Sequence, residues 1–151
     1  MPALRLALVS IALAMSCHCL RADTGPVSVD GRWLIFDDDT GQKRAIVEIV
    51  REGKRATGRI VEFFPKAGEE ADPVCEDCPD GDRGRKIRGL AILQLDEEAD
   101  DNRGRGTVLD PEEGRRYRCV ATITKGGKAL NLRGYYGLEL FGRSQTWVRA
   151  D

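Results

Sequence analysis

The mature chain is predicted to be all-β, folded as one small up-and-down antiparallel β-barrel of about eight strands. Three observations predict it. No helical period of useful length occurs between Asp30 and Arg149. Short strand-like runs are instead separated by turn residues at close spacing. The later runs alternate apolar and polar side chains, so each buries one face and wets the other. Closure into a barrel removes the unpaired edges that would otherwise aggregate. A two-sheet sandwich is the competing architecture.

The chain opens with an export signal. Arg5 gives a basic start, and Leu6 to Met15 is an apolar run too short to span a bilayer. Cleavage is expected after Ala22, with Ser16 to Arg21 as the polar stretch before it; the Ala12-Leu13-Ala14 triplet is a second candidate. A lipid-modified Cys17 is the alternative to either. Nothing later in the chain is apolar for long enough to anchor in lipid. A signal over residues 1–22 of 151 leaves a domain of 129, residues 23–151, enough for one modest core. The expected location is the periplasm or the exterior.

Eight strands are read in order: Arg32–Asp37, Arg44–Arg51, Lys54–Phe64, Ile87–Leu95, Gly104–Asp110, Tyr117–Thr124, Ala129–Tyr136 and Arg143–Val148. Glu52-Gly53 makes a two-residue hairpin loop, with glycine supplying the positive φ such loops need. Pro111-Glu112-Glu113-Gly114 turns on a proline and closes on a glycine. Gly126-Gly127 turns the chain between the sixth and seventh runs. Short loops of this kind force sequence neighbours to pair antiparallel. In the sixth run Tyr117, Cys119, Ala121 and Ile123 share a face. In the seventh Leu130, Leu132, Gly134 and Tyr136 do. Two segments stand outside the pattern: the long acidic stretch Pro65 to Lys86, and Asp96 to Asn102, read as a solvated loop.

The charges exclude one class of partner. The chain carries 24 Lys+Arg and 25 Asp+Glu; losing Arg5 and Arg21 with the signal leaves 22 against 25, a net charge of −3. Nucleic-acid binding wants clustered excess positive charge, and here even the densest basic group, Arg83-Gly84-Arg85-Lys86, sits among acids. The signal also carries His18, the only histidine. Without it no Ser-His or Cys-His nucleophile exists, nor a zinc site built on imidazole.

Cys75-Glu76-Asp77-Cys78 is expected to form a disulfide in an oxidising compartment. So small a ring stabilises by only about 2 kcal/mol, which rigidifies the long loop rather than the barrel. Redox catalysis is not favoured, because the pair lies between Pro73 and Pro79 among acids that raise thiol pKa. Cys119 reads as a buried free thiol. A Cys78–Cys119 bridge is the other pairing, and would contribute about 4 kcal/mol. Asp77, Asp80 and Asp82 around Gly81 lack the full calcium-loop spacing and read as solvated. Trp33, opening the first strand after Gly31, and Arg149, ending the last, become neighbours if the barrel closes. The guanidinium then lies on the indole face, worth about 0.5–2 kcal/mol. Arg143 is a second candidate for that role.

Taken in order, these motifs resemble one family. They are Gly31-Arg32-Trp33; Val47-Glu48-Ile49 with Gly58-Arg59-Ile60-Val61; Cys75-Glu76-Asp77-Cys78; and Gly89-Leu90-Ala91-Ile92-Leu93. Leu109-Asp110-Pro111 with Gly114 and Tyr117, Leu132-Arg133-Gly134-Tyr135, and Gly142-Arg143-Ser144-Gln145-Thr146-Trp147 follow. The set resembles the bacterial exported proteins catalogued as domain of unknown function 2147. The resemblance implies a lipocalin-like fold, and the Gly-x-Trp opening with a late arginine is similar to the lipocalin closure pattern, here Trp33 with Arg149. It brings no catalytic residue.

The function expected is therefore binding of a small apolar or amphipathic ligand in the barrel, with Tyr117, Leu130, Leu132 and Tyr136 as ligand-facing residues. The alternative is a structural or interaction protein of the cell envelope, with a filled core and the Pro65–Lys86 loop as its contact. An enzyme working through carboxylates or Tyr135 and Tyr136 ranks third, because nothing nucleophilic is visibly activated. No cofactor, no metal and no membrane span are expected.

Overall fold

A computed structural model describes residues 28–79, 81–100 and 102–150. The expectations for the export signal, its cleavage site, Cys17, His18 and Asp80 lie outside the described residues.

Eight strands close into a barrel in sequence order: β1 (Gly31–Phe36), β2 (Lys43–Glu52), β3 (Arg55–Phe63), β4 (Ala91–Asp100), β5 (Arg103–Asp110), β6 (Arg115–Thr124), β7 (Ala129–Tyr135) and β8 (Arg143–Arg149). Every neighbour pair is antiparallel, and β8 returns to β1 through Trp33 opposite Arg149 and Leu34 opposite Val148. Short turns explain the meander. The β2–β3 loop is Gly53-Lys54, one residue later than the sequence suggests, with Gly53 at φ +61° and Glu52 paired to Arg55. Among the described residues no helix is long and apolar enough to cross a membrane.

The interior comes from alternate positions on each strand. Ala45, Val47 and Ile49 are buried on β2, as are Cys119, Ala121 and Ile123 on β6. Two segments depart from the sequence reading. Ile87 to Leu90 is not strand: Gly89 takes φ +90°, its N–H bonds Ile60 O at 2.7 Å, and Leu90 N–H bonds back to Ile87 O at 3.2 Å. Ile87 and Leu90 are both buried, so the apolar content is core, but it enters on a turn rather than on a pleat. Conversely, Asp96 to Asp100 continues β4, paired through Asp96 opposite Arg105 and Asp100 opposite Arg103. Backbone pairing extends past Leu95, where the apolar run of the sequence ends. Single 3₁₀ turns occupy Lys125–Gly127 and Glu139–Phe141, the first replacing a simple two-glycine hairpin.

The two ends of the barrel differ. At one end lie the β2–β3, β4–β5 and β6–β7 turns together with Ser28–Asp30 and Ala150. Here the Arg149 guanidinium lies 4.2 Å from the Trp33 ring centroid. It also donates to the carbonyls of Gly127, Asp30 and Ser28 at 2.6, 2.8 and 2.7 Å. Trp33 Nε1 donates to Val29 O at 2.7 Å. This end is plugged. The other end carries the β1–β2, β3–β4, β5–β6 and β7–β8 connections, and it is open.

Candidate functional site: a cavity in the open half of the barrel

A cavity of about 760 Å³ enters from the open end. Its wall is built from inward residues near the open ends of the strands. Ile35, Ile60, Ile92, Leu109, Leu132 and Trp147 line it, all buried. Gly134 on β7 leaves room: a Cβ there would meet Val108 Cγ1 at 3.5 Å and Tyr117 Cβ at 3.7 Å, ordinary contact distances. The Trp147 indole N–H, which burial obliges to find a partner, donates to Gln145 Oε1 at 2.8 Å. Deeper in the barrel Trp33, Val47, Ile49, Leu93, Leu130 and Ile123 form a packed core and do not line the cavity.

The long β3–β4 segment forms one side of the mouth. The Cys75–Cys78 disulfide pins it, and both cysteines are buried. Backbone bonds from Cys75 N–H to Arg85 O and from Ile87 N–H to Pro73 O, at 2.8 and 2.9 Å, give it its own small ladder. It sits against the β5–β6 turn, where Cys75 Sγ lies 3.4 Å from Pro111 O. Gly114 is required there. Its φ is +64°, and a Cβ would come within 2.1 Å of Asp77 O. Arg116 Nη2 holds Asp82 at 2.9 Å from the same hairpin.

Ion pairs tie the mouth loops together. Arg44 on β2 bonds Glu69 at 2.6 Å and Glu112 at 2.6 Å, and lies 4.6 Å from the Phe63 ring centroid. Lys66 Nζ reaches Asp37 at 2.7 Å. One cluster thus joins the β1–β2, β3–β4 and β5–β6 connections. The Lys66 ammonium, with the Thr40 hydroxyl and N–H, holds the Asp37 carboxyl far below the usual carboxylate range. Arg44 lowers Glu69 in the same sense. For Arg44 itself burial opposes the charge, but the two carboxylates outweigh it and its pKa rises. Arg143 Nη2 closes the remaining side by bonding Asp38 at 2.6 Å.

The sequence-predicted residues separate along the barrel axis. Tyr117 and Leu132 line the cavity. Tyr136 lines it at the rim, not on the inward row of β7: the strand ends at Tyr135, and Tyr136 is 85% exposed. Leu130 faces inward but belongs to the packed plug, fully buried and away from the cavity. Gly31, Trp33 and Arg149 sit at the opposite, closed end, and Arg143 serves the mouth instead. Tyr135 lines the cavity half-buried. The Tyr117 hydroxyl donates to Glu113, which raises its pKa. Cys119 is free and buried, away from the cavity, and burial pushes its thiol up to about 12. Asp82 is engaged by Arg85 and Arg116, and no group of three or more metal-binding side chains occurs among the described residues.

Sequence reading missed Arg44, Lys66 and the cavity role of Trp147. Trp147 was findable, since it alternates with Arg149 on β8. The Arg44 cluster was not, because its partners lie 25 and 68 residues away.

Comparison with known proteins adds a fold and a family. No curated protein matches the chain. A solved structure from Helicobacter pylori, that of protein HP1028, described as belonging to the lipocalin family, is similar with a TM-score of 0.68 at 16% identity, over 83% of this chain and 84% of that one. At that identity the likeness is one of fold. A family model described as an uncharacterized protein conserved in bacteria matches residues 31–149, from the first residue of β1 to the last of β8, so the chain belongs to the DUF2147 family.

Proposed function

We propose that the protein is exported to the periplasm or beyond and carries a small apolar or amphipathic molecule in the open half of its barrel. The observation that carries the reading is the cavity. Its volume of about 760 Å³ falls within the range of small-molecule sites, and its deep wall is apolar. The plugged end gives the barrel stability without filling this space. Export rests on Arg5, the Leu6–Met15 run and the small residues at Ala22.

Native mass spectrometry of protein purified from its own periplasm tests this reading. A co-purified mass of lipid size is expected. It should be lost in Gly134→Leu, whose side chain enters the cavity from a position with space for a Cβ. Repeated absence of bound mass from the unaltered protein overturns the carrier reading. The intact mass also reports the cleavage site.

A second reading has one observation in its favour. Leu138, Leu140 and Phe141, on the β7–β8 connection, are 68%, 78% and 77% exposed. Apolar tips of this kind mark contact surfaces, so an envelope partner would dock there rather than on Pro65–Lys86.

A further inference from the structure

We propose that the ligand is a cationic amphiphile, with an apolar body in the barrel and an amine or quaternary ammonium head at the mouth. This rests on the carrier reading above.

Three features of the mouth select the charge. First, the cavity wall carries ten carboxylates and two guanidinium groups, and the carboxylates all come from the open-end connections and the strand ends beside them. Four of them, Asp39, Glu70, Glu76 and Asp77, are exposed and form no ion pair with a described residue. Of the basic side chains of the same long segment, Lys86 bonds Asp72 and Arg85 bonds Asp82, while Lys66 is taken up by Asp37 and Glu112 and leaves these four without a counter-charge among the described residues. Second, neither lining arginine is available to an anionic head. Arg44 is held by Glu69, Glu112 and Phe64 O, and Arg143 by Asp38. A carboxylate or phosphate ligand would have to break one of these pairs and then face the remaining acids. Third, aromatic rings stand at the same rim. Tyr136 and Phe141 line the cavity while most of each side chain is open to solvent, and Tyr117 and Tyr135 line it below. Exposed aromatic faces next to carboxylates are how proteins hold ammonium groups, because the ring quadrupole attracts a cation and no hydrogen bond is needed. The apolar wall from Ile35 to Trp147 then takes the hydrocarbon, whatever the head group.

Tryptophan emission gives the test, since Trp147 lines the cavity and Trp33 does not. The mature protein is titrated with three probes of equal chain length: dodecyltrimethylammonium and dodecanoate below their micelle concentrations, and dodecanol below its solubility limit. The ammonium probe is expected to bind about tenfold or more tighter than dodecanoate at low salt, with the gap narrowing as salt screens the mouth. The quadruple variant Asp39→Asn, Glu70→Gln, Glu76→Gln, Asp77→Asn should bring that preference to about unity, and its circular dichroism should match the unaltered protein. Equal binding of all three probes, or a preference for dodecanoate, overturns the charge selection and leaves the carrier reading standing. A preference retained in the quadruple variant overturns the assignment to these carboxylates. Binding of none of the three by the unaltered protein overturns the carrier reading as well.

Discussion

At Arg149 one guanidinium covers the Trp33 ring and serves three carbonyls from two separate parts of the chain. Charge-assisted bonds contribute more than neutral ones, and the stacking adds to them. Arg149→Ala is therefore expected to lower stability by about 2–4 kcal/mol, read from the midpoint of urea unfolding. Arg149→Lys keeps the charge but loses the planar fork, so it should recover less than half of that. Equal midpoints for Arg149→Ala and the unaltered protein would remove the residue from barrel closure. This contact was legible in the sequence, because a tryptophan at the start and an arginine at the end of a closed sheet have to meet. Depth along the barrel was not. Alternation on β7 shows that Leu130 and Leu132 face inward, yet it says nothing of how far each lies from the mouth. Leu130, opposite Trp147 in register, belongs to the plug, and Leu132, opposite Gln145, to the cavity.

The β3–β4 connection carries a backbone ladder and a disulfide of its own. Its length and its cysteine pair were legible, and the disulfide is there. What it packs against was not, since Gly114 reads in sequence only as the close of a turn. In the structure it is also the seat for Asp77 O, with no room for a methyl group. Replacing both Cys75 and Cys78 by serine should cost about 2 kcal/mol from the small ring, and more from lost burial. Hydrogen exchange should quicken across residues 64–90 and at the β5–β6 turn, while β1, β2 and β8 keep their protection. Uniform loss of protection would make the disulfide a global support instead. Gly114→Ala, with the disulfide intact, should reproduce the effect at the turn. The strands were easier to read than their ends. Gly89 turns an apolar run away from strand geometry, and β4 goes on pairing through acidic residues that hydropathy assigns to solvent.

For the molecule as a whole, the mouth cluster sets a pH dependence. Asp37 and Glu69 have folded pKa values below their unfolded ones, so their contribution is complete above the unfolded pKa values, about 4. It is lost as the pH falls through the folded values. The urea midpoint should fall as the pH drops below about 5, and Asp37→Asn should flatten part of that slope. An unchanged slope in Asp37→Asn would place the acid sensitivity elsewhere. Such a cluster is invisible to short-range sequence reading, because it exists only once strands β1 to β6 have brought three connections together.

The closed end has a further consequence. Ser28 and Ala150 both lie there, bound through Arg149 and through the Ala150 N–H to Arg32 O at 2.9 Å. Chain before Ser28 and after Ala150 therefore joins the barrel at its sealed base, on the side opposite the entrance.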